Sequence, residues 1–436
     1  MIGLADLSLE WLGFPLQKAQ KDLQQFEREL TENAAEYQRK KAAEILEFHL
    51  RNNSYYRAIF EKSRATDFQN APVLTKTDFQ QPLANRLSAG FTTKNVYVNK
   101  TSGSSGEPFI FAKDKYCHAL TWAYIKQQFG AHGIDFNRDL QARFYGIPLE
   151  GLPKLKEEVK DSLMHRRRFP VFDLSDKVLE TYLARFQKSA FAYLNGYTSS
   201  LLLFAKFLAK KGVVLKDVCS TLKAVFTTSE MLFESDRQFM ERAFGVPIVN
   251  EYGASELDLI AFENPSGVWK INQATLLVEI LNERNEVLPY GEAGKIVITA
   301  LYNRAHPFIR YDIGDNGILD FDQQTQTLFL KQLTGRTNDI AVLPSGKTTP
   351  GLTFYYVTKS IIQDQAKVKE FVIKQTNTNS FTIEYVASEP LSETEKAEIV
   401  AANERYLESG LHFTFEQKTA LERSRSGKLK QFSVGF

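Results

Sequence analysis

Residues 16–50 repeat apolar positions at helical spacing among Gln, Glu, Lys and Ala, which predicts one or two long amphipathic helices. The run PVLTK at 72–76 opens a further short helical piece. Alternation over 95–99 predicts a strand that leads into the most loop-like stretch of the chain, 101–108, and a helix follows over 114–130. Strands at 140–145, 190–194, 222–228 and 247–250 then alternate with helices over 199–211 and up to Ala243. Such alternation predicts a mostly parallel sheet with flanking helices. From about residue 273 the pattern changes: apolar strands at 276–280 and 295–299 flank turn residues, and later strands end in Asp-Asn-Gly and Thr-Gly-Arg, as in antiparallel β structure. Past Arg336, strands at 370–373, 381–385 and 411–416 and a helix over 392–407 predict a small α+β unit. The expected division is a large domain over 1–335, β-rich from about 273, and a small one over 336–436.

Composition removes several alternatives. A chain of 436 residues exceeds one ordinary core, and its 43% hydrophobic and 24% charged residues fit a soluble globular protein. The formal net charge of +2 offers no field for nucleic acid or an anionic membrane. Cys117 and Cys219 lie far apart, which supports neither a disulfide framework nor a cysteine-rich metal site. The six histidines form no metal-binding spacing. The first ten residues lack the basic and apolar regions of a secretory signal, and apolar stretches such as 200–209 are too short to span a bilayer. A cytoplasmic protein is expected.

The run TSGSSGEP at 101–108 packs four hydroxyls and two glycines behind a strand. Glycines let consecutive backbone N–H groups face one ligand and hydroxyls add donors, so the run suits a polyphosphate. It lacks the lysine of a Walker A loop. A polar surface loop is the plain alternative.

Four further runs stand in a fixed order behind it: EYGASE at 251–256, RYDIGD at 310–315, TGRTNDI at 334–340 and RSGK at 425–428. Together the five resemble the adenylate-forming superfamily of acyl-CoA synthetases, peptide-synthetase adenylation domains and luciferases. SYYR at 54–57, PVLTK at 72–76 and NGYTS at 195–199 resemble its phenylacetate-CoA ligase branch and the capsule-biosynthesis-associated relatives in particular. The resemblance implies an α/β fold: a large N-terminal domain of mixed sheets and flanking helices with an antiparallel β subdomain, and a small mobile α+β C-terminal domain.

It also implies roles. Thr101, Ser102, Gly103, Ser104, Ser105 and Gly106 would hold the β- and γ-phosphates of ATP. Tyr252 would stack on adenine, with Glu230, Glu251 and Gly253 flanking the nucleotide. Ser255 would sit near the α-phosphate and Glu256 would ligate Mg2+. Asp315 would take both ribose hydroxyls with Arg336 alongside, Asn338 and Asp339 would fall at the hinge, and Lys428 would be the adenylation lysine. The implied partners are a carboxylic acid and, as acceptor, CoA, with a carrier-protein phosphopantetheine or an amine as alternatives; a homodimer is compatible with the chain. Two departures stand out. Asn338 replaces the family's usual hinge aspartate, and 341–349 differs from the glycine-rich loop that helps form the pantetheine tunnel.

The chemistry accounts for these residue types. A carboxylate must displace pyrophosphate from the α-phosphate, so two anions meet and need positive charge between them. Each residue keeps a plainer reading alone: Glu256 a loop carboxylate, Asp315 a turn residue before Asn316-Gly317, Lys428 a solvated tail lysine. HRRR at 165–168 suits an acidic carrier or the CoA phosphates, or else a solvated helix end. Phe144, Tyr145 and Phe226 line an acyl pocket or belong to the core. A nucleotide-binding protein without catalysis is the alternative from another class, and has no need of Glu256, Asp315 and Lys428 together.

Overall fold

An eleven-stranded mixed sheet organises most of the chain. The computed structural model describes residues 4–101, 109–145, 158, 160–336, 340–362, 368–423 and 429–436. One half of the sheet is parallel: Arg166–Phe169, Leu140–Phe144, Phe191–Tyr197, Ala224–Thr228 and Ile248–Ala254, in that spatial order. All seven residues of Phe191–Tyr197 are buried, as a parallel strand covered on both faces requires. The other half turns antiparallel through Asp258–Glu263, Trp269–Ile271, Thr327–Arg336, Tyr311–Asp322, Ala293–Ala300 and Leu276–Leu281.

The helices follow local signals. The predicted N-terminal pattern forms Leu16–Asn52, which breaks at Asn33, where the backbone leaves helical geometry (φ −159°, ψ 91°), so of the one or two helices expected the chain forms two. Asn53 ends it and caps the next helix, Ser54–Ser63, by accepting the Tyr56 N–H. Asp114 caps Lys115–Ala131 through the Cys117 N–H at 2.8 Å. Aromatic rings fill the core beneath the parallel strands: Phe144, Phe169, Phe186 and Phe204 stack there.

A second, four-stranded sheet lies in the C-terminal region, in the order His412–Gln417, Ser380–Ala387, Val368–Asn377, Phe432–Val434. Helices Leu352–Ile362 and Glu393–Tyr406 accompany it, the latter with a reciprocal capping box of Ser392 and Glu395. Several contacts among the described residues join the large body to this region. Phe233 stacks on Tyr355 with centroids 5.5 Å apart, Lys206 Nζ donates to the Lys369 carbonyl at 2.7 Å, and Arg423 donates to Ser199 Oγ at 3.2 Å.

Three sequence expectations change. Residues 72–76 are not helical: Leu74 bridges Tyr311 in parallel, and Asp78 accepts the Thr75 N–H at 2.7 Å to close a turn. The 165–168 run is not a helix end, because Arg166–Phe169 pairs with Leu140–Phe144, and Asp161 takes ion pairs from both Arg166 and Arg168. Asp315, Asn316 and Gly317 do not end a strand; they lie inside Tyr311–Asp322, which absorbs them with a register shift between Asn316 and Gly317.

Close approach of two parallel strands sets one requirement. A Cβ on Gly196 would lie 2.5 Å from Phe144 Cβ and 2.6 Å from the Phe144 carbonyl oxygen. Gly196→Ala is expected to destabilise the protein by about 1–3 kcal/mol, the usual cost of forcing atoms into a filled interior. Urea unfolding measures it, and an unchanged midpoint would refute the tight approach.

Candidate active site

Parallel α/β sheets place ligands beyond the carboxyl ends of their strands. A cavity of about 790 Å³ opens at that edge here. Of the residues singled out from sequence, Thr101, Glu251, Gly253, Ser255, Glu256 and Asp315 all line it. They come from four separate stretches: the end of the strand-loop at Thr101, the end of strand Ile248–Ala254, the turn after it, and strand Tyr311–Asp322. Gly253 sits at a register shift where an added Cβ would meet the Asp258 carbonyl oxygen at 2.3 Å.

Two tyrosines fix the carboxylates. Tyr311 Oη donates to Glu256 Oε1 at 3.0 Å, and Tyr252 Oη donates to Asp315 Oδ2 at 2.9 Å. Glu256 is 7% exposed, and its Oε2 has no hydrogen-bond donor among the described residues. Burial, then the charge of Glu256, holds the Tyr311 hydroxyl well above its ordinary pKa, so it stays a donor. Tyr252 itself is buried, edge-on to Trp269, and does not line the cavity. Arg336 stands opposite Asp315 in backbone register. Glu230 is placed elsewhere. Its Oε2 accepts the Ser199 N–H at 2.7 Å, capping helix Thr198–Lys211, and its Oε1 accepts the Leu429 N–H at 2.9 Å. Ser102, Gly103, Ser104, Ser105, Gly106, Asn338, Asp339 and Lys428 lie outside the described residues.

Other groups at the cavity have no counterpart in the motifs. Lys113, buried at 2% exposure, pairs with Asp258, and burial pushes its ammonium down to about 8 despite the opposing charges of Cys117 and Glu256. Asp258 also accepts from Thr121 Oγ1 at 2.9 Å and faces the cavity. Gln141, Arg143, Tyr145 and Asn195 line the far end, with Arg166 on the edge strand. Tyr145 Oη donates to Asn195 Oδ1 at 2.6 Å, and the Arg143 guanidinium lies 4.7 Å from the Tyr145 ring centroid. The period of two in QARFY at 141–145 puts Gln141, Arg143 and Tyr145 on one face, a signal present in the sequence. Lys430 lines the opening, two positions after Lys428.

The set suits a nucleotide with a hard cation. Among the described residues no group of three metal-binding side chains converges. Magnesium seldom needs one, since it arrives on phosphates and takes one or two carboxylates. Glu256, with one oxygen unengaged, fits that need.

No family model matches the chain. Protein CapK of Staphylococcus aureus is 23% identical over 320 residues, spanning 70% of this chain and 68% of its own. Phenylacetate-coenzyme A ligase of Thermus thermophilus is 22% identical over 298 residues, 64% of this chain and 62% of its own. Among solved structures, 2-hydroxyisobutyryl-CoA ligase in the postadenylation state with R3-HIB-AMP superposes with a TM-score of 0.73 at 16% identity, over 92% of this chain and 89% of that one. The same enzyme in its thioesterification state gives 0.59 at 15% identity over the same shares. Among the described residues no helix is long and apolar enough to cross a membrane.

Glu251 carries a pH signature. Burial pushes its carboxyl from 4.5 up to about 7, against hydrogen bonds from Thr228 and Asn195 and the charge of Arg143. An acid raised on folding binds more protons folded than unfolded between those values, so its contribution falls as pH climbs from 4.5 to 7 and then levels. Glu251→Gln should match the native protein near the acidic end and exceed it by on the order of 2 kcal/mol in mildly alkaline buffer. Unfolding free energies of both proteins across that range test this, and a constant difference would refute it.

Proposed function

We propose that this chain is an AMP-forming ligase of the adenylate-forming superfamily, on its phenylacetate-CoA ligase-like branch, a reading supported by its fold and by its similarity to CapK and phenylacetate-CoA ligase. It joins a carboxylic acid to AMP and passes the acyl group to CoA. The observation that carries this reading is the convergence of Thr101, Ser255, Glu256 and Asp315 on one cavity. Each came from a motif in the predicted order, and none is adjacent to another by chain proximity except Ser255 and Glu256.

In the first step an oxygen of the substrate carboxylate attacks the α-phosphorus, the bond to the bridging oxygen breaks, and pyrophosphate leaves with the electron pair. Asp315 orients the nucleotide. Tyr252 fixes the plane of its carboxylate, an acceptor suited to the ribose diol. Thr101 and Ser255 add hydroxyl donors beside the phosphates. When bound at Glu256, magnesium supplies positive charge to those phosphates. Lys113, neutralised against Asp258 behind Glu256, keeps the surrounding field from becoming wholly negative. In the second step the acceptor thiol attacks the acyl carbon and AMP leaves.

Lys428 is the lysine assigned to the first step. Support comes from its neighbours: Leu429 is held by Glu230, and Lys430 lines the cavity. The better superposition on a postadenylation state than on a thioesterification state also favours a small domain, 336–436, docked over the nucleotide. The region 336–340 would be the hinge. Strands Ile340–Val342 and Thr348–Pro350 form a hairpin where the family has its glycine-rich tunnel loop, so a carrier-protein phosphopantetheine or an amine is the alternative acceptor. A cytoplasmic setting suits the two free thiols of Cys117 and Cys219.

Two measurements test the reading. Asp315→Ala should weaken ATP binding by about 2–4 kcal/mol, the scale of lost charge-assisted hydrogen bonds. Unchanged affinity in a folded variant would rule the ribose role out. Lys428→Ala should lower acyl-AMP formation by on the order of a thousandfold while sparing transfer from supplied acyl-AMP, because its charge serves only the first step. Equal loss of both half-reactions, or of neither, would remove Lys428 from the chemistry.

A further inference from the structure

The end of the cavity away from the nucleotide residues is not apolar throughout. Trp122, Phe136 and Met164 wall one side, but Arg143 and Arg166 line the same space. Neighbouring strands lie about 4.8 Å apart, so the edge strand carrying Arg166 stands roughly 19 Å across the sheet from the strand carrying Glu251. Arg166 therefore lies at the end away from the nucleotide residues, with Arg143 one strand nearer to them. The two arginines sit on adjacent parallel strands, Arg143 on Leu140–Phe144 and Arg166 on Arg166–Phe169, with Gln141 in register beside Arg166.

Asp161 contacts both Arg166 and Arg168. It engages Arg166 through Nε, which leaves the terminal amino groups of Arg166 without a hydrogen-bond partner among the described residues. Arg143 has no carboxylate within ion-pair distance among the described residues and rests on the Tyr145 ring. Glu251 feels Arg143 but is itself half-neutral near pH 7. Burial and then the like charge of Arg143 press Arg166 below its ordinary range. Among the described residues, the Arg143 guanidinium and the terminal amino groups of Arg166 are thus placed to meet an anion that enters the cavity.

We propose that the acid activated here carries a second anionic group, held between Arg143 and Arg166 while its reacting carboxylate faces the nucleotide. This rests on the ligase reading for the reacting end only. A guanidinium fork fits a carboxylate or a phosphate, and the shared chemistry is a compact oxyanion at the far end of a short, partly apolar acid. The apolar wall between would hold the carbon skeleton.

The test uses the full chain and a ladder of straight-chain dicarboxylic acids, each paired with its own monoamide and with the matching phosphono-carboxylic acid. Binding is measured by calorimetry with AMP present, and pyrophosphate release is followed separately. The native protein should bind a diacid or its phosphono analogue at least tenfold more tightly than the monoamide. Arg143→Gln and Arg166→Gln should each erase that preference, Arg166→Gln with ATP affinity unchanged, and Arg143→Lys should restore part of it. Which of the two dianions binds better names the second group. Equal binding of diacid and monoamide by the native chain, or a preference that survives both glutamine variants, would overturn the proposal. Diacid binding without pyrophosphate release from any acid would remove the ligase reading and leave the anion clamp standing. Release from monoacids and monoamides alone would do the reverse.

Discussion

Strands Ile248–Ala254 and Tyr311–Asp322 are not neighbours in the sheet, yet each lends the other a hydroxyl. Tyr252 holds Asp315, and Tyr311 holds Glu256. Each bond joins a buried phenol to a carboxylate, the stronger class of hydrogen bond, and leaving such an acceptor unmet would cost more than the bond itself contributes. The exchange closes the sheet's curl and fixes two carboxylates over one cavity. The other cavity features depend on that closure: Ser255 lies in the turn between the two held points, and Lys113 packs behind Glu256 against Asp258.

The buried position of strand Tyr311–Asp322 has a second support. Arg310, 3% exposed, donates to the carbonyls of Gln69, Ala71 and Asn285, and sits beside Glu279. One side chain thereby ties the segment before Leu74 and the turn after Leu276–Leu281 to the first residue of the RYDIGD motif. The first residue of that motif thus acts, in this fold, as the anchor of the strand that presents Asp315.

Much of this was legible in the sequence, and the misses share a cause. The alternation of strands and helices through 140–250 appeared as expected because both signals are local: a strand buried on both faces is mostly apolar, and a surface helix repeats its apolar residues at a fixed spacing. The 72–76 run failed because Leu74 is claimed by a strand more than two hundred residues away, which no window detects. The HRRR run failed because its charge suggested solvent, while Asp161 and strand pairing draw it into the sheet edge. In the site, motif order singled out Glu256 and Asp315, which line one cavity, but not the tyrosines that hold them. The Tyr252 hydroxyl donates to Asp315, a pairing its motif does not announce. Glu230 was expected near the adenine, and its carboxylate spans Ser199 and Leu429. Both are pairings of distant backbone and side-chain groups that spacing cannot reveal.

Glu230 has a consequence of its own. One oxygen closes a helix of the large body and the other holds the backbone N–H just after Lys428, so one side chain is a latch with a fixed half and a releasable half. Letting go of Leu429 leaves the helix cap intact, and the freed oxygen can turn to water.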